Sequence, residues 1–293
     1  MTHRRRIWSE TLPLAELSAP ATLALLARRR IELIAAVRPW DLDVVPSLVR
    51  ACAEAGVTVG LWPMIDDAHG RWAGAANMRR FRAFAETLLD ALPRDAPVLD
   101  LVVDLELPFG LVTTAMRSPT AVWPAPGSGE GWTAARAELR GLLDVVHARG
   151  FQCSAAVLPF VLLDPSRGRL RPVQRALSTP VDGLPWDHVN VMAYTSLFEG
   201  WSLRTVNRSR ARAALRWCAS AVVQRFGPSA GVSLGVVDVG ALGDEPRYRA
   251  PDELADDVRI AVDAGAAVVN LFDLGGVLRR GPPEAWLDAF EVP

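Results

Sequence analysis

Residues 98–106 read Val-Leu-Asp-Leu-Val-Val-Asp-Leu-Glu and combine an apolar strand pattern with three carboxylates. Alternate side chains of a strand point to opposite faces, so Asp100, Asp104 and Glu106 share one face while the other face is entirely apolar. Neighbouring carboxylates raise each other's pKa, and burial raises it further. Such groups serve acid–base chemistry more often than stability. We therefore interpret Asp104 and Glu106 as a candidate catalytic pair.

The elements that must position this pair alternate along the whole chain. We predict strands at 5–10, 31–37, 57–64, 98–106, 151–158, 188–195, 231–238 and 267–273. We predict helices between them at 15–29, 43–55, 77–92, 134–149, 168–178, 207–226, 251–264 and 282–290. Eight strand–helix units predict a single-domain (β/α)8 TIM barrel over residues 1–293, with a long loop after the fourth strand at about 107–133. A doubly wound sheet is the alternative, but no glycine-rich phosphate turn follows the first strand.

Aromatic and acidic residues fall where the predicted strands end, which is the working face of such a barrel. Flat aromatic rings suit stacking on sugar rings, so we select Trp8, Trp62 and Trp201 as candidate carbohydrate contacts. Glu10 and Asp273 also reach this face in the predicted order of strands. Salt bridges to Arg38 or Arg71 are the structural alternative for these two carboxylates.

Composition excludes several function classes. The net charge of −1 gives no case for nucleic acid or an anionic membrane, and no apolar run is long enough to cross a bilayer. No clean signal peptide is visible, so a cytoplasmic location is expected. Cys52, Cys153 and Cys218 are scattered and indicate free thiols. No cofactor is expected and the oligomeric state is left open.

Metal chemistry has little support in the sequence. Only His69, of four histidines, falls on the predicted working face, and zinc or manganese barrels usually bring several His and carboxylate ligands there. A magnesium site built on Asp100, Asp104 and Glu106 stays open as an alternative.

Three strand motifs, each in the corresponding strand, resemble those of family-18 glycoside hydrolases. Val-Val-Asp104-Leu-Glu106 resembles the second half of the fourth-strand motif DGxDxDxE. Val189-Asn-Val-Met192-Ala-Tyr194-Thr195 resembles the sixth-strand motif Met-x-Tyr-Asp, and Val269-Asn-Leu-Phe272-Asp resembles the eighth strand. The resemblance implies a TIM barrel that hydrolyses a carbohydrate or glycoconjugate.

The resemblance also implies a role for individual residues. Glu106 would be the general acid, and Asp104 would hold the substrate's N-acetyl group and share protons with Glu106. Tyr194, pointing inward with Asn190 and Met192, would hydrogen-bond the same acetamido group. The substrate's own carbonyl oxygen would be the nucleophile. Additional carbohydrate contacts are expected from the floor and rim of the site, namely Trp62, Phe272, Trp8, Glu10 and Trp201.

The chain departs from this family at four places. Val102 replaces the inner Asp of strand four, Asp100 replaces its Gly, and Thr195 replaces the Asp that follows the tyrosine. The third-strand Ser-x-Gly-Gly pattern is absent. Two alternatives therefore stay open. In one, Asp238 at the predicted end of strand seven is a protein nucleophile opposite Glu106. In the other, the protein is a non-catalytic carbohydrate-binding barrel, like a lectin or an inhibitor.

Overall fold

The computed structural model describes residues 3–107, 129–166, 170–200, 205–240, 243 and 245–291. Eight parallel strands close into a barrel in chain order. They are β1 (Arg4–Ser9), β2 (Glu32–Val37), β3 (Val59–Pro63), β4 (Val98–Leu105), β5 (Gln152–Val157), β6 (His188–Met192), β7 (Ala230–Gly235) and β8 (Val268–Phe272). The predicted single (β/α)8 TIM barrel is confirmed.

The helices surround this barrel. They are α1 (Leu14–Leu17), α2 (Pro20–Arg29), α3 (Val45–Glu54), α4 (Met78–Ala91), α5 (Gly129–Ala148), α6 (Pro172–Ala176), α7 (Thr195–Gly200), α8 (Arg208–Phe226), α9 (Pro251–Asp263), α10 (Leu274–Arg279) and α11 (Pro283–Phe290). None of the helices in the described ranges has both the length and the apolar composition of a membrane span.

The element boundaries differ from the predicted ones at a few places. The predicted helix 15–29 is two helices, because Pro20 begins a new one at its favoured first position. The short helices α7 and α10 were not predicted. Helix α5 begins at Gly129, so the predicted loop 107–133 is shorter at its end, and its residues 108–128 lie outside the described part of the chain.

The predicted two faces of β4 are confirmed. Leu101, Val103 and Leu105 are buried in the cluster that packs the sheet against the surrounding helices. Val102 belongs instead to a second cluster, which we call the interior cluster. Its buried members are Trp8, Ile34, Ala36, Trp62, Met64, Trp72, Val102, Ala156, Val236 and Phe272. Asp100 and Asp104 lie on the same face as Val102, because side chains alternate along a strand.

Asp100 lies near the opposite end of the barrel from the candidate pair. Its Oδ2 accepts a hydrogen bond of 2.7 Å from Arg6 Nη1, and Arg6 Nε also bonds Glu32 at 2.9 Å. Arg6 and Asp100 are both fully buried. The alternative of a magnesium site on Asp100, Asp104 and Glu106 is therefore corrected, since Asp100 serves a buried ion pair.

Between the two ends, three polar side chains form a chain of hydrogen bonds inside the barrel. Trp8 Nε1 donates to Asn270 Oδ1 at 3.1 Å, and Asn270 Nδ2 donates to Asn190 Oδ1 at 3.0 Å. Asn190 Nδ2 in turn donates to the carbonyl oxygen of Ala155 at 3.3 Å. Buried amides that satisfy one another in this way fix the packing of the strands that carry them.

Candidate active site

The loop after β3 holds the end of β4 in place. The main-chain N–H of Ala73 donates to the carbonyl oxygen of Asp104 at 2.9 Å, and the N–H of Glu106 donates to the carbonyl oxygen of Ala73 at 3.2 Å. Ala73 thereby forms an isolated parallel bridge with Leu105. These two bonds flank Leu105, so the main chain of Glu106, the first residue beyond β4, is fixed to the loop after β3.

The Asp104 and Glu106 side chains lie close enough together for their carboxyl groups to share a proton in a hydrogen bond. Burial and the nearby charge of Glu10 together raise the pKa of Glu106 to about 8. Burial and the charge of Glu106 raise the pKa of Asp104 well above its usual range. Asp104 is only 2% exposed, and its Oδ1 has no hydrogen-bond partner among the described residues.

Aromatic rings of the interior cluster lie on the same inward face of the barrel as Val102 and this pair. The rings of Trp8 and Trp62 pack edge-on at 4.7 Å, and the ring of Phe272 lies 5.8 Å from that of Tyr194. Trp8, Trp62 and Phe272 are all almost fully buried. Removing water from a carboxyl group disfavours its charged form, which is the main cause of the raised pKa values here.

Tyr194 faces the same carboxyl groups from the beginning of α7. Burial raises the pKa of its hydroxyl, and the charges of Asp104 and Glu106 raise it further. Its ring packs against Gly235, where a Cβ atom would lie 3.3 Å from Tyr194 Cδ1. The Ser196 hydroxyl donates to the carbonyl oxygen of Gly235 at 3.0 Å and accepts from the N–H of Val236 at 2.8 Å, which fixes this approach.

Two further carboxyl groups complete the mouth of the barrel. Glu10 Oε1 accepts a hydrogen bond of 3.1 Å from Arg71 Nη1, and burial raises the pKa of Glu10 to about 7. Asp273 caps α10 by accepting from the N–H of Gly276 at 2.8 Å, and burial raises its pKa to about 6. The salt-bridge alternative with Arg71 therefore describes Glu10, whereas Asp273 is held by the main chain.

A cavity of about 470 Å³ opens beside Glu10 and Arg71. Its walls include Arg38, Trp40 and Met64. Trp40 is 67% exposed, and the Arg38 guanidinium lies 4.9 Å from its ring. An exposed indole beside charged hydrogen-bonding groups provides the kind of surface that suits a sugar ring.

Other predicted site residues lie elsewhere. Asp238 is not the last residue of strand seven, which ends at Gly235; its carboxylate bonds Arg247 at 2.7 Å and Arg279 at 2.9 Å. These guanidinium groups lower the pKa of Asp238 despite its burial. Asn190 lies in the hydrogen-bonded layer below the mouth, and Met192, the last residue of β6, is buried. Trp201 lies outside the described residues.

Trp40 and Trp72 fall just past predicted strand ends, where an aromatic ring suits a sugar, and Arg71 was expected only as a salt-bridge partner. Trp72 belongs to the interior cluster, and Arg71 reaches Glu10 from the loop that contacts β4. All three occupy aperiodic loops after strands, so only their position after β2 or β3 could have indicated them. Among the described residues, no group of three or more His, Cys, Asp and Glu side chains could hold a metal ion.

Comparisons by sequence give no relative, because no protein-family profile and no curated protein matches the chain. Comparisons by structure do. The PgaB (BpsB) glycoside hydrolase domain from Bordetella bronchiseptica has a TM-score of 0.58 at 13% identity, covering 100% of each chain. The class V chitinase from Nicotiana tobaccum has a TM-score of 0.58 at 13% identity, covering 99% of each.

Sugar-modifying barrels of another class are also similar. A D-allulose 3-epimerase from Methylomonas sp. has a TM-score of 0.50 at 13% identity, covering 93% of this chain and 85% of its own. At such low identity these likenesses show a shared fold. The barrel fold that the resemblance to family-18 glycoside hydrolases implied is therefore shared with solved chitinases and a glycoside hydrolase domain.

Proposed function

We propose that the protein is a glycoside hydrolase in which Glu106 is the general acid. The observation that carries this proposal is the carboxyl pair at the end of β4, in which Asp104 is buried and Glu106 is partly exposed. With a pKa of about 8, Glu106 stays protonated at neutral pH and has a proton to donate. A carboxyl group kept neutral by an apolar site is the usual form of a glycosidase acid.

The reaction begins when Glu106 gives its proton to the glycosidic oxygen as the bond from that oxygen to the anomeric carbon breaks. In the family that the strand motifs resemble, the carbonyl oxygen of the substrate's 2-acetamido group attacks the anomeric carbon. Asp104 and the Tyr194 hydroxyl hold this acetamido group. Water then opens the cyclic intermediate, and the ionised Glu106 takes a proton from that water.

Substrate assistance is preferred over a protein nucleophile because of the contacts of Asp238. A nucleophilic carboxylate must lie beside the anomeric carbon, about 5 Å from the acid. Asp238 is engaged by Arg247 and Arg279, whereas the groups that shift the pKa of Glu106 are Glu10, Asp104 and Arg71. Trp8, Trp62, Met192 and Phe272 form the apolar floor on which the sugar ring rests in this proposal.

The experiment is hydrolysis of a panel of aryl glycosides and N-acetylated oligosaccharides. Wild type is compared with Glu106→Gln and with the control Glu54→Gln, which changes an exposed residue at the end of α3. We expect turnover of substrates that carry a 2-acetamido group and none of the matched 2-hydroxy sugars. Glu106→Gln should lower the rate at least a hundredfold, since general acid catalysis contributes about 10²–10⁴-fold.

Two outcomes would contradict the proposal in different ways. Turnover that persists in Glu106→Gln would move the acid to another residue. Sugar binding without turnover of any substrate would support the alternative of a non-catalytic carbohydrate-binding barrel. Calorimetric titration with the same oligosaccharides separates that alternative from a protein that binds no sugar.

A further inference from the structure

The resembled family carries an inner acidic residue on strand four, two positions before Asp104, and this chain has Val102 there. Val102 is fully buried in the interior cluster and cannot accept or donate a proton. The pair of Asp104 and Glu106 therefore has no acidic neighbour further down its own strand until Asp100, which is committed to Arg6.

Glu10 lies on the opposite side of the same mouth. It follows Trp8 by two positions, so its side chain continues the inward face of β1. Its side chain is only 7% exposed, and its main-chain N–H donates to the Asp273 carboxylate. We propose that Glu10, held by Arg71, supplies from β1 the third acidic group that β4 lacks, and that its charge controls how strongly the Asp104–Glu106 pair retains its proton.

Arg71 connects the two sides of the mouth. Its Nη1 bonds Glu10 at 3.1 Å, while Nε and Nη2 bond the two carboxylate oxygens of Asp67 at 2.8 and 2.6 Å. Arg71 precedes by two positions Ala73, the residue hydrogen-bonded to the main chain of both Asp104 and Glu106. The same short loop therefore contacts both the Glu10 carboxyl group, through Arg71, and the main chain of Asp104 and Glu106, through Ala73. This loop determines where Glu10 lies relative to the pair.

The charges that face Glu10 come from every element around it. Among the described residues, Arg71 is bonded to Glu10 and Arg38 lines the same cavity. These cations oppose the acidic groups of Asp104 and Glu106 at the end of β4, Asp273 after β8 and Glu245 after β7, with the Tyr194 hydroxyl beside them. Burial raises the pKa of Glu10 to about 7, and Arg71 acts against this rise. Because like charges disfavour each other's ionisation, an ionised Glu10 raises the pKa of Glu106.

This inference rests on the proposed function for its catalytic meaning, because only a general acid needs a retained proton. The role assigned to Glu10 and Arg71 is that of positioning residues, which act through Glu106. A purely structural salt bridge would contribute to stability and leave the titration of Glu106 unchanged.

The test is a titration of the free protein by NMR, with glutamate labelled with ¹³C at the side-chain carboxyl carbon. The variant Glu106→Gln assigns the Glu106 signal by its loss. We expect Glu10→Gln to lower the pKa of Glu106 from about 8 by roughly one pH unit, and the control Glu54→Gln to leave it unchanged. An identical Glu106 titration in wild type and Glu10→Gln would overturn the proposal.

Changes at Arg71 provide a second arm, which tests whether Arg71 holds and tunes the Glu10 carboxyl group; if Glu10→Gln does not fold, Glu10→Ala is titrated in its place. Arg71→Met removes the cation, so the pKa of Glu10 should rise above about 7 by roughly one pH unit. Arg71→Lys keeps the charge and should return the Glu10 titration toward that of wild type. A Glu10 titration that does not move in Arg71→Met would show that Arg71 has only a structural role.

These titrations need no substrate, so they fail separately from the hydrolysis panel. Coupled titration without any turnover would retract the proposed function and leave the electrostatic link standing. Turnover that depends on Glu106, together with uncoupled titration, would retain the glycosidase and remove Glu10 and Arg71 from its control.

Discussion

The main-chain N–H of Glu106 donates a hydrogen bond of 3.2 Å to the carbonyl oxygen of Ala73. Glu106 lies just past the end of β4, so without this bond its main chain would belong to the following loop. The bond extends the pairing of β4 by one residue and fixes the main chain from which the Glu106 side chain projects. The loop after β3 can come this close to Glu106 only if the residues beside Ala73 are small.

Gly74 is the first place where this approach can be tested. A Cβ atom at Gly74 would lie 3.1 Å from the carbonyl oxygen of Glu106, which is closer than such contacts normally come. Gly74→Val should therefore displace Glu106 by a few tenths of an ångström and lower the hydrolysis rate by about tenfold or more. We expect a loss of about 1–2 kcal/mol in the free energy of unfolding, measured by denaturant titration.

A matched change in the same loop separates position from general damage. Ala76 is exposed, so Ala76→Val should alter neither the rate nor the stability beyond about 0.5 kcal/mol. Equal rates in Gly74→Val and wild type would mean that the position of Glu106 does not depend on this contact.

The raised pKa values also predict how stability depends on pH. The pKa of Glu106 rises from 4.5 to about 8 on folding, and that of Asp104 shifts in the same direction. Between these two pH values the folded protein binds more protons than the unfolded chain. The free energy of unfolding therefore falls as pH rises through this window, and the part of the loss due to Glu106 is nearly complete once the pH is well above its pKa of about 8.

The Glu106→Gln side chain cannot ionise, so the variant should lack the part of the fall in free energy of unfolding that Glu106 causes as pH rises. We expect the variant to exceed wild type by about 1–2 kcal/mol in free energy of unfolding at pH 9, and to match it near pH 4. Chemical denaturation at both pH values measures the difference. Glu54→Gln should follow wild type at both, and a difference that is the same at pH 4 and pH 9 would contradict the assignment of the shift to Glu106.

Local patterns in the sequence predicted the barrel and placed the candidate pair, Asp104 and Glu106, on one face of the fourth strand. The alternation of apolar and acidic residues over 98–106 fixes which side chains share a face, because that property depends only on the period of the strand. For this reason Asp104 and Glu106 could be selected without knowing their neighbours. The starts of the third, fifth and eighth strands were indicated by Gly56, Gly150 and Gly265, each of which ends the helix before the strand.

Contacts between distant, aperiodic segments could not be predicted in this way. Arg71 meets Glu10 across 61 positions, and Thr195 donates to Asp257 across 62. Asp100 matched the pattern of its strand as well as Asp104 did, and only the buried Arg6 on β1 distinguishes the two. Asp238 was interpreted as the end of strand seven, but β7 ends at Gly235. The next main-chain N–H, that of Val236, donates to the Ser196 hydroxyl instead of to a neighbouring strand.

The hydrogen-bonded layer inside the barrel should be costly to interrupt. Asn270 accepts from Trp8 and donates to Asn190, so Asn270→Leu leaves two buried polar groups without partners. We expect a loss of about 2–4 kcal/mol in the free energy of unfolding, measured by urea denaturation. In Asn190→Leu combined with Asn270→Leu the loss should be smaller than the sum of the two single losses, since one unpaired partner is then removed. Strictly additive losses would mean that the two amides do not interact.

Asp238 decides between the two catalytic arrangements. Its carboxylate is bonded to Arg247 and Arg279, and its pKa is lowered, so its contribution to stability is present above the unfolded pKa of 3.8 and is lost as pH falls through the folded value. Both arginines are about half exposed, which limits this contribution to about 0.5–1 kcal/mol. Asp238→Asn should therefore be slightly less stable than wild type at pH 7, and this difference should shrink as pH falls below 3.8, while its hydrolysis rate stays within about threefold of wild type. The exposed Asp95→Asn serves as the matched control, with no change in stability or rate.

A collapse of hydrolysis in Asp238→Asn, with its fold retained, would make Asp238 the nucleophile and replace substrate assistance with a double displacement on the protein.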